Sequence, residues 1–292
     1  PVASSLRAPP TPWLQQAAAA IPVGTKIAAN RCPAYCLPKL EDLTDDRYLQ
    51  ESSVCAEGLQ PQQQQPPTLN LQMSASLNLI DPAKPKRIAL IAANASTSKQ
   101  TGWPIGFWWA ELTHPYWEFV EKGYQVDIYS PDGGDLEADG FSDPEHESGY
   151  SAADILSLGF KKSPKHAELV KNTKPMSAIK VADYDAIFLS GGQSPMYTFI
   201  DNAPLHKLVV DFHEAKKVVA IVCHATCVLL KAKTADGKLL VDGKTWTGFA
   251  DAEEQFADNF VGQRIQPFWI ETEARKLPST NFITGGMFKA FA

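Results

Sequence analysis

The sequence predicts an α/β fold: a mostly parallel central sheet covered by helices, preceded by a largely irregular N-terminal extension. Three observations carry this. From residue 87 onward, short apolar runs alternate with helix-compatible stretches, the pattern of βαβ units whose strands are buried on both faces. Two of those runs stop abruptly, one in Gly191-Gly192 and one in Cys223-His224. Residues 1–86, by contrast, hold 12 of the chain's 22 prolines.

The extension comes first. Prolines this dense exclude long helices and central strands, and the tract from Gln60 to Pro67 adds five glutamines to three prolines and no apolar anchor. Only residues 13–20 and 40–52 are helix-compatible. Seven basic residues balance seven acidic ones here, so the net charge of −6 belongs to residues 87–292. The apolar residues of the extension, Trp13 and Tyr35 among them, suit a tail lying against the folded domain or a partner subunit.

The domain follows at residues 87–292. Residues 87–93 read as a buried strand. Residues 113–122 read as a helix stopped by Gly123. Residues 124–129 form a second strand, closed by Ser130-Pro131 and Gly133-Gly134. Residues 184–190 form a third, 205–216 a helix, and 218–222 a fourth strand that runs into Cys223. Beyond a turn at Asp236-Gly237, residues 244–249 complete the readable part. Sheets of this kind bind ligands beyond the carboxyl ends of their strands, so Gly191-Gly192 and Cys223 are expected at one rim.

Composition removes several function classes. A net charge of −6 and a pI near 5.6 oppose nucleic-acid binding and attachment to anionic lipid. No apolar run approaches the ~20 residues of a membrane span. Five cysteines leave at least one without an intrachain disulfide. Cys32-x3-Cys36 lacks a second ligand pair, so unpaired thiols or one local disulfide fit it better than zinc. Pro1 in place of Met is expected from Met trimming or from removal of a presequence, which leaves cytoplasm and an organelle matrix as the expected compartments.

The chemistry is expected at the rim. A thiol on a tight turn from strand to helix projects clear of the backbone, and free amides at the helix start favour thiolate. The amide of His224 would face an anion formed beside the sulfur, as in a nucleophile elbow. Gly191 and Gly192 permit close backbone approach and offer another amide. The competing reading of Cys223 is an inert buried cysteine. Ile221 counts against a tight elbow, which asks for small residues on both sides. Cys227, one turn on, is either a redox partner or a small core side chain.

Several segments, in order, resemble the ThiJ/PfpI superfamily. They are Gly106-Phe107-Trp108-Trp109-Ala110-Glu111 through His114-Pro115-Tyr116, Gly123-Tyr124-Gln125-Val126-Asp127, Ser130-Pro131-Asp132-Gly133-Gly134, the run from Tyr184 to Gly192, Val222-Cys223-His224 and Thr247-Gly248-Phe249. The branch most similar is the glyoxalase III and chaperone group, class I glutamine amidotransferase-like. The resemblance implies a flavodoxin-like sandwich, usually dimeric. It implies Cys223 as nucleophile with His224 beside it, and Glu111 as a protonated carboxyl donating to the thiolate. It implies Glu254 as the acidic third member, with Glu253 and Asp251 as alternatives. Gly191, Gly192 and Gln193 become the oxyanion and substrate-binding turn.

Three departures stand out. Gln193 occupies a position often held by histidine. Ala225-Thr226 replaces a common Gly-Pro. The related proteins continue through a further strand and helix after the point where residue 292 falls.

The expected activity is a cofactor-independent, cysteine-dependent reaction on small carbonyl substrates, converting a 2-oxoaldehyde to a 2-hydroxy acid with no metal or organic cofactor. The expected partners are a small carbonyl substrate, no nucleic acid, and either a second copy or a larger assembly contacted through residues 1–86. Two alternatives stand beside it: a weakly catalytic or non-catalytic subunit of a larger assembly, and a chaperone or redox-sensing member of the family. Asp143, Glu145, His146 and Glu147 have metal-ligand chemistry but read as a solvated acidic loop. His206 and His213 read as surface histidines. Trp103, Trp108, Trp109 and Trp246 read as core or pocket wall, with Trp108 and Trp109 flanking Glu111.

Overall fold

The computed structural model describes residues 86–288. The Pro/Gln-rich extension, its two helix-compatible stretches, Cys32-x3-Cys36 and the expected partner contacts of the extension lie outside the described residues.

Five strands form the central sheet: β1 (Arg87–Ile91), β4 (Gln125–Ser130), β5 (Lys174–Pro175), β6 (Ala186–Leu189) and β7 (Val218–Ile221), in the order β5-β4-β1-β6-β7. Every pairing in it is parallel. Two short hairpin strands, β2 (Ser96–Thr97) and β3 (Pro104–Ile105), stand apart and pair antiparallel. The chain leaves β1 toward β4, then crosses back to β6 on the other side. That reversal places a crevice at the carboxyl ends of β1 and β6, where open α/β sheets bind ligands.

Alternation along β1 builds the two faces. Ala89 and Ile91 enter one core with Leu205, Val209, Val210 and Phe212 of α5 (Ala203–Glu214). Ile88 and Leu90 enter the other with Trp109, Leu112 and Tyr116 of α1 (Trp109–Glu121). A strand buried on both faces must be apolar throughout, which is why IALI is readable without alternation. The expected flavodoxin-like sandwich is the fold observed.

Three further helices lie between β4 and α5 in the chain: α2 (Ile155–Lys162), α3 (Pro164–Ala167) and α4 (Pro195–Thr198). After β7, residues Cys223–Leu230 form a 3-10 helix rather than an α-helix. A second small parallel sheet pairs β8 (Thr245–Trp246) with β9 (Asn281–Phe282) around α6 (Asp251–Val261) and α7 (Ile270–Ala274). Among the described residues, no helix is long and apolar enough to cross a membrane.

Two expectations are corrected. The helix expected from residue 113 begins at Trp109, running straight through Pro115. Trp108 stays extended because its N–H donates to the Gly191 carbonyl at 3.2 Å, and that tertiary bond starts the helix. Glu111 therefore sits in the first helical turn. His206, expected at the surface, is half-buried with Nε2 2.8 Å from the Phe199 carbonyl oxygen. The acidic loop does carry its charge outward: Lys161 meets Asp143 at 2.6 Å and Glu145 at 3.0 Å. Among the described residues no cluster of His, Cys, Asp and Glu could hold a metal ion.

Candidate active site

The site is a strained turn with glycine packed against it. β7 ends at Ile221, Val222 is extended, and Cys223 turns into the left-handed region at φ +53°. A non-glycine residue there costs on the order of 1–3 kcal/mol and persists only where its surroundings fix it. Here Ala225 N donates to the Val222 carbonyl at 3.1 Å, and Thr226 Oγ1 donates to the Cys223 carbonyl at 2.6 Å. The turn aims Sγ at the main-chain amides of Gly192 and His224.

Room for the elbow comes from the neighbouring turn. A methyl on Gly191 would lie 2.5 Å from Glu111 Oε2 and 2.6 Å from Cys223 Cβ. At Gly192, φ +106°, one would lie 2.5 Å from the Gly106 carbonyl oxygen and 2.7 Å from Trp108 N. Ile221 therefore does not obstruct the turn, contrary to the sequence reading. It packs on the apolar core with β7, and the small residue the elbow needs stands on β6's loop instead.

Glu111 reaches the sulfur from α1. Its carboxyl hydrogen-bonds Cys223, and its Oε2 accepts from Gly191 N at 2.8 Å. Burial pushes Glu111 above the usual carboxylate range. Burial, then the Glu111 charge, pushes the Cys223 thiol up as well, while the Gly192 and His224 amides oppose this. Two anions in contact cannot both persist there, so the pair keeps one proton between them. With that proton on Glu111, the carboxyl becomes a donor and its charge no longer disfavours thiolate.

His224 is held on its far side. Nε2 lies 3.0 Å from Glu254 Oε1, and both side chains are buried, at 8% and 1% exposure. Nδ1 lies 3.5 Å from Cys223 Sγ, and the ring stacks on Phe249 with centroids 4.0 Å apart. Burial alone would lower the His224 pKa; the charge and hydrogen bond of Glu254, joined by the carboxyls of Glu111 and Asp139, leave it raised. The two alternatives to Glu254 are engaged elsewhere. Glu253 accepts from Ala250 N at 3.0 Å and from Phe288 N at 2.9 Å, and Asp251 accepts from Thr272 Oγ1 at 2.6 Å.

The Gly191-Gly192-Gln193 turn needs a finer division than the sequence allowed. Gly191 N is committed to Glu111, and Gln193 N donates to Asp139 Oδ2 at 2.6 Å. Of the three amides, Gly192's is the one at the sulfur. The Gln193 side-chain Oε1 is buried with no hydrogen-bond partner among the described residues. Of the two readings of Trp109, core or pocket wall, the structure shows core: it lies edge-on to Phe107, centroids 4.9 Å apart, leaving half-buried Trp108 as the aromatic beside the turn. Cys227 is a core side chain, its Sγ 3.4 Å from the Pro195 carbonyl oxygen and its thiol pushed up by burial.

One residue escaped the sequence reading. Asp139 is fully buried and accepts from Gly106 N at 2.9 Å as well as from Gln193 N. Burial pushes its carboxyl up to about 7. Nothing local sets it apart from Asp132, Asp135 or Asp143; the residues it joins are 33 and 54 positions away.

Residues 106–265 match the DJ-1/PfpI family. The chain belongs to the DJ-1/PfpI family. It is 27% identical over 191 residues to the probable glutathione-independent glyoxalase hsp3103 of Schizosaccharomyces pombe, covering 58% of this chain and 73% of that protein. It is 27% identical over 170 residues to glyoxalase 3 of Candida albicans, covering 57% and 69%. Matches to the curated relatives span between 39% and 75% of those proteins' own lengths. Among solved structures, the rapid encystment protein of Francisella tularensis shares the fold, with a TM-score of 0.62 at 22% identity over 70% of this chain and 87% of that one.

As a DJ-1/PfpI protein the chain departs from the expected pattern where Cys-His is followed by Ala225-Thr226. The departure has a structural counterpart: the Thr226 hydroxyl ties down the Cys223 carbonyl, a bond that neither glycine nor proline supplies.

Proposed function

We propose that the chain is a glyoxalase III-type enzyme that converts a small 2-oxoaldehyde to a 2-hydroxy acid without glutathione. The observation that carries this reading is the single constellation at the β7 end. A thiol on a strained turn faces two amides, touches a carboxyl of raised pKa, and lies beside a histidine fixed by a buried carboxylate. The names of the two glyoxalase relatives support the substrate class.

The scheme follows from which group lies where. Thiolate Sγ adds to the aldehyde carbon, C1, and the C=O electron pair moves onto oxygen. That oxyanion forms facing the Gly192 and His224 amides and takes the proton held by Glu111, giving a hemithioacetal. With Nε2–H donated to Glu254, His224 Nδ1 carries the lone pair; it removes the C1 proton, and an enediolate forms. The same proton returns to C2 while the C1 hydroxyl proton passes by way of Glu111 to the C2 oxygen, leaving a 2-hydroxyacyl thioester and Glu111 ionised. Water attacks the thioester and gives up a proton to Glu111, the C–S bond breaks, and thiolate leaves with the 2-hydroxy acid released, which restores the starting protonation. C1 is oxidised as C2 is reduced, so the net reaction consumes only water and calls on no external electron acceptor. Gln193 Oε1 is suited to accept a hydrogen bond from a substrate hydroxyl.

The test is D-lactate formation from methylglyoxal in the absence of glutathione. Purified wild type is expected to turn over, and Cys223→Ala to lose on the order of 10³-fold or more in kcat. Equal rates for the two proteins would sink the reading.

A further inference from the structure

Asp139 touches neither the sulfur nor the histidine, yet three segments of the chain meet at its carboxyl. Oδ1 accepts from Gly106 N at 2.9 Å and Oδ2 from Gln193 N at 2.6 Å. Around it, Ser194 N donates to the Gly106 carbonyl at 3.1 Å, and Asp139 N to the Phe107 carbonyl at 2.8 Å. Gly106 is sterically obligatory, because a side chain there would run into the Glu137 carbonyl. A fully buried carboxyl satisfied by main-chain amides rather than by a bonded cation is costly, and a single apolar residue would fill the volume more cheaply.

What the carboxyl gains is control of both flanks of Cys223. On one flank, fixing Gln193 N fixes the turn that contains Gly192, whose amide faces Sγ. On the other, fixing Gly106 fixes the extended segment that leads through Trp108, bonded to Gly191, into the first turn of α1 and Glu111. The Gly191-Gly192 backbone lies directly on the Gly106–Trp108 backbone, with no room for a side chain between them.

We propose that Asp139 is a positioning residue: its carboxyl clamps the Gly106 segment to the Gly191–Gln193 turn, and so sets both the Gly192 amide and the Glu111 carboxyl against Cys223 Sγ. The proposal rests on the reading of Cys223 as nucleophile, but not on the identity of the substrate.

Asp139→Asn tests it in the full chain. Asparagine keeps the shape but turns one acceptor into an NH2 that confronts one of the two amides. The primary measurement is the pH dependence of Cys223 alkylation by iodoacetamide, alongside methylglyoxal kinetics and thermal unfolding. Loosening the donors at the sulfur disfavours thiolate. Alkylation at pH 7 is expected to fall about 10-fold, and kcat about 10- to 100-fold, with KM nearly unchanged. Ser157→Ala is the control. It removes another fully buried tie to α1, the 2.7 Å hydroxyl pair with Thr113, and is expected to lower stability while leaving the alkylation profile alone. A folded D139N with the wild-type profile overturns the proposal. If D139N does not fold, Asp139→Glu takes its place: an altered profile supports the clamp, and a wild-type profile, or failure of both variants to fold, assigns Asp139 to folding alone and overturns it. Should wild type not turn over methylglyoxal, the alkylation shift still decides the matter, and only the substrate reading fails.

Discussion

The two ends of the central sheet handle carboxylates in opposite ways. At the amino-terminal end, Asp127 meets Arg87 at 2.6 Å and the Tyr184 hydroxyl at 2.8 Å, and Asp185 meets Lys86 at 3.4 Å. The ion-paired side chains there are 38–46% exposed, so water and salt share the charge. At the carboxyl-terminal end, Glu111, Asp139 and Glu254 face amides, a thiol and an imidazole, with Asp139 and Glu254 almost wholly out of water. The first end is ordinary surface electrostatics. The second spends stability on buried charge and a left-handed cysteine, which is where physical reasoning looks for function.

The sharpest way to break this comparison is Gly191→Ala. A methyl placed 2.5 Å from Glu111 Oε2 and 2.6 Å from Cys223 Cβ must push them apart. Methylglyoxal turnover is expected to fall by roughly 100-fold or more, with about 1–3 kcal/mol of stability lost to overpacking in denaturant titration. Near-wild-type turnover would mean that the tight contact of the two turns is irrelevant to the chemistry.

Glu254→Gln probes the next layer. Its charge and hydrogen bond are the largest of the effects that raise the His224 pKa against burial, so its removal lets that pKa drop. The working form of His224 in the scheme is neutral. The acidic limb of the kcat profile should therefore move to lower pH, while the plateau falls on the order of 10²-fold as the ring loses its orienting partner. A limb that moves upward, or not at all, separates His224 from the rate.

The smallest effect belongs to the opposite end. Asp127→Asn removes a half-exposed, screened ion pair, and the expected cost is about 0–1 kcal/mol, shrinking further in high salt. Turnover should be unchanged. A loss of activity in this variant would show that the two ends are coupled.

Much of this contrast is legible in the chain itself. The apolar runs 88–91 and 186–189 announce buried parallel strands, because a strand covered on both faces has no polar side to hide. The run 218–221, read the same way, is instead the edge strand β7, only part-buried and with Val218 exposed, because among the described residues no further strand covers its outer side in the sheet. Cys223-His224 and Gly191-Gly192 announce the rim, because an apolar run that stops at a thiol or at paired glycines leaves little else for those residues to do. Glu254, by contrast, was separable from Glu253 and Asp251 only through the resemblance. On α6 all three are first-turn acids, and the helix's rotation alone decides which one turns inward to His224.

Asp139 shows where sequence reading runs out. The chain determines that a thiol stands at the end of an apolar strand, that glycine flanks it on the neighbouring loop, and that residues 87–292 carry the acidic excess. These are properties of neighbours along the chain: periodicity, steric permissiveness and net charge. The tertiary structure alone decided that Gly191 rather than residue 221 makes room for the elbow, that Gly192 supplies the amide, and that Asp139 joins Gly106 to Gln193. Each of those depends on which loops meet in space, and burial, which moves a carboxyl such as Asp139 up to about 7, is a property of the folded surroundings rather than of the residue.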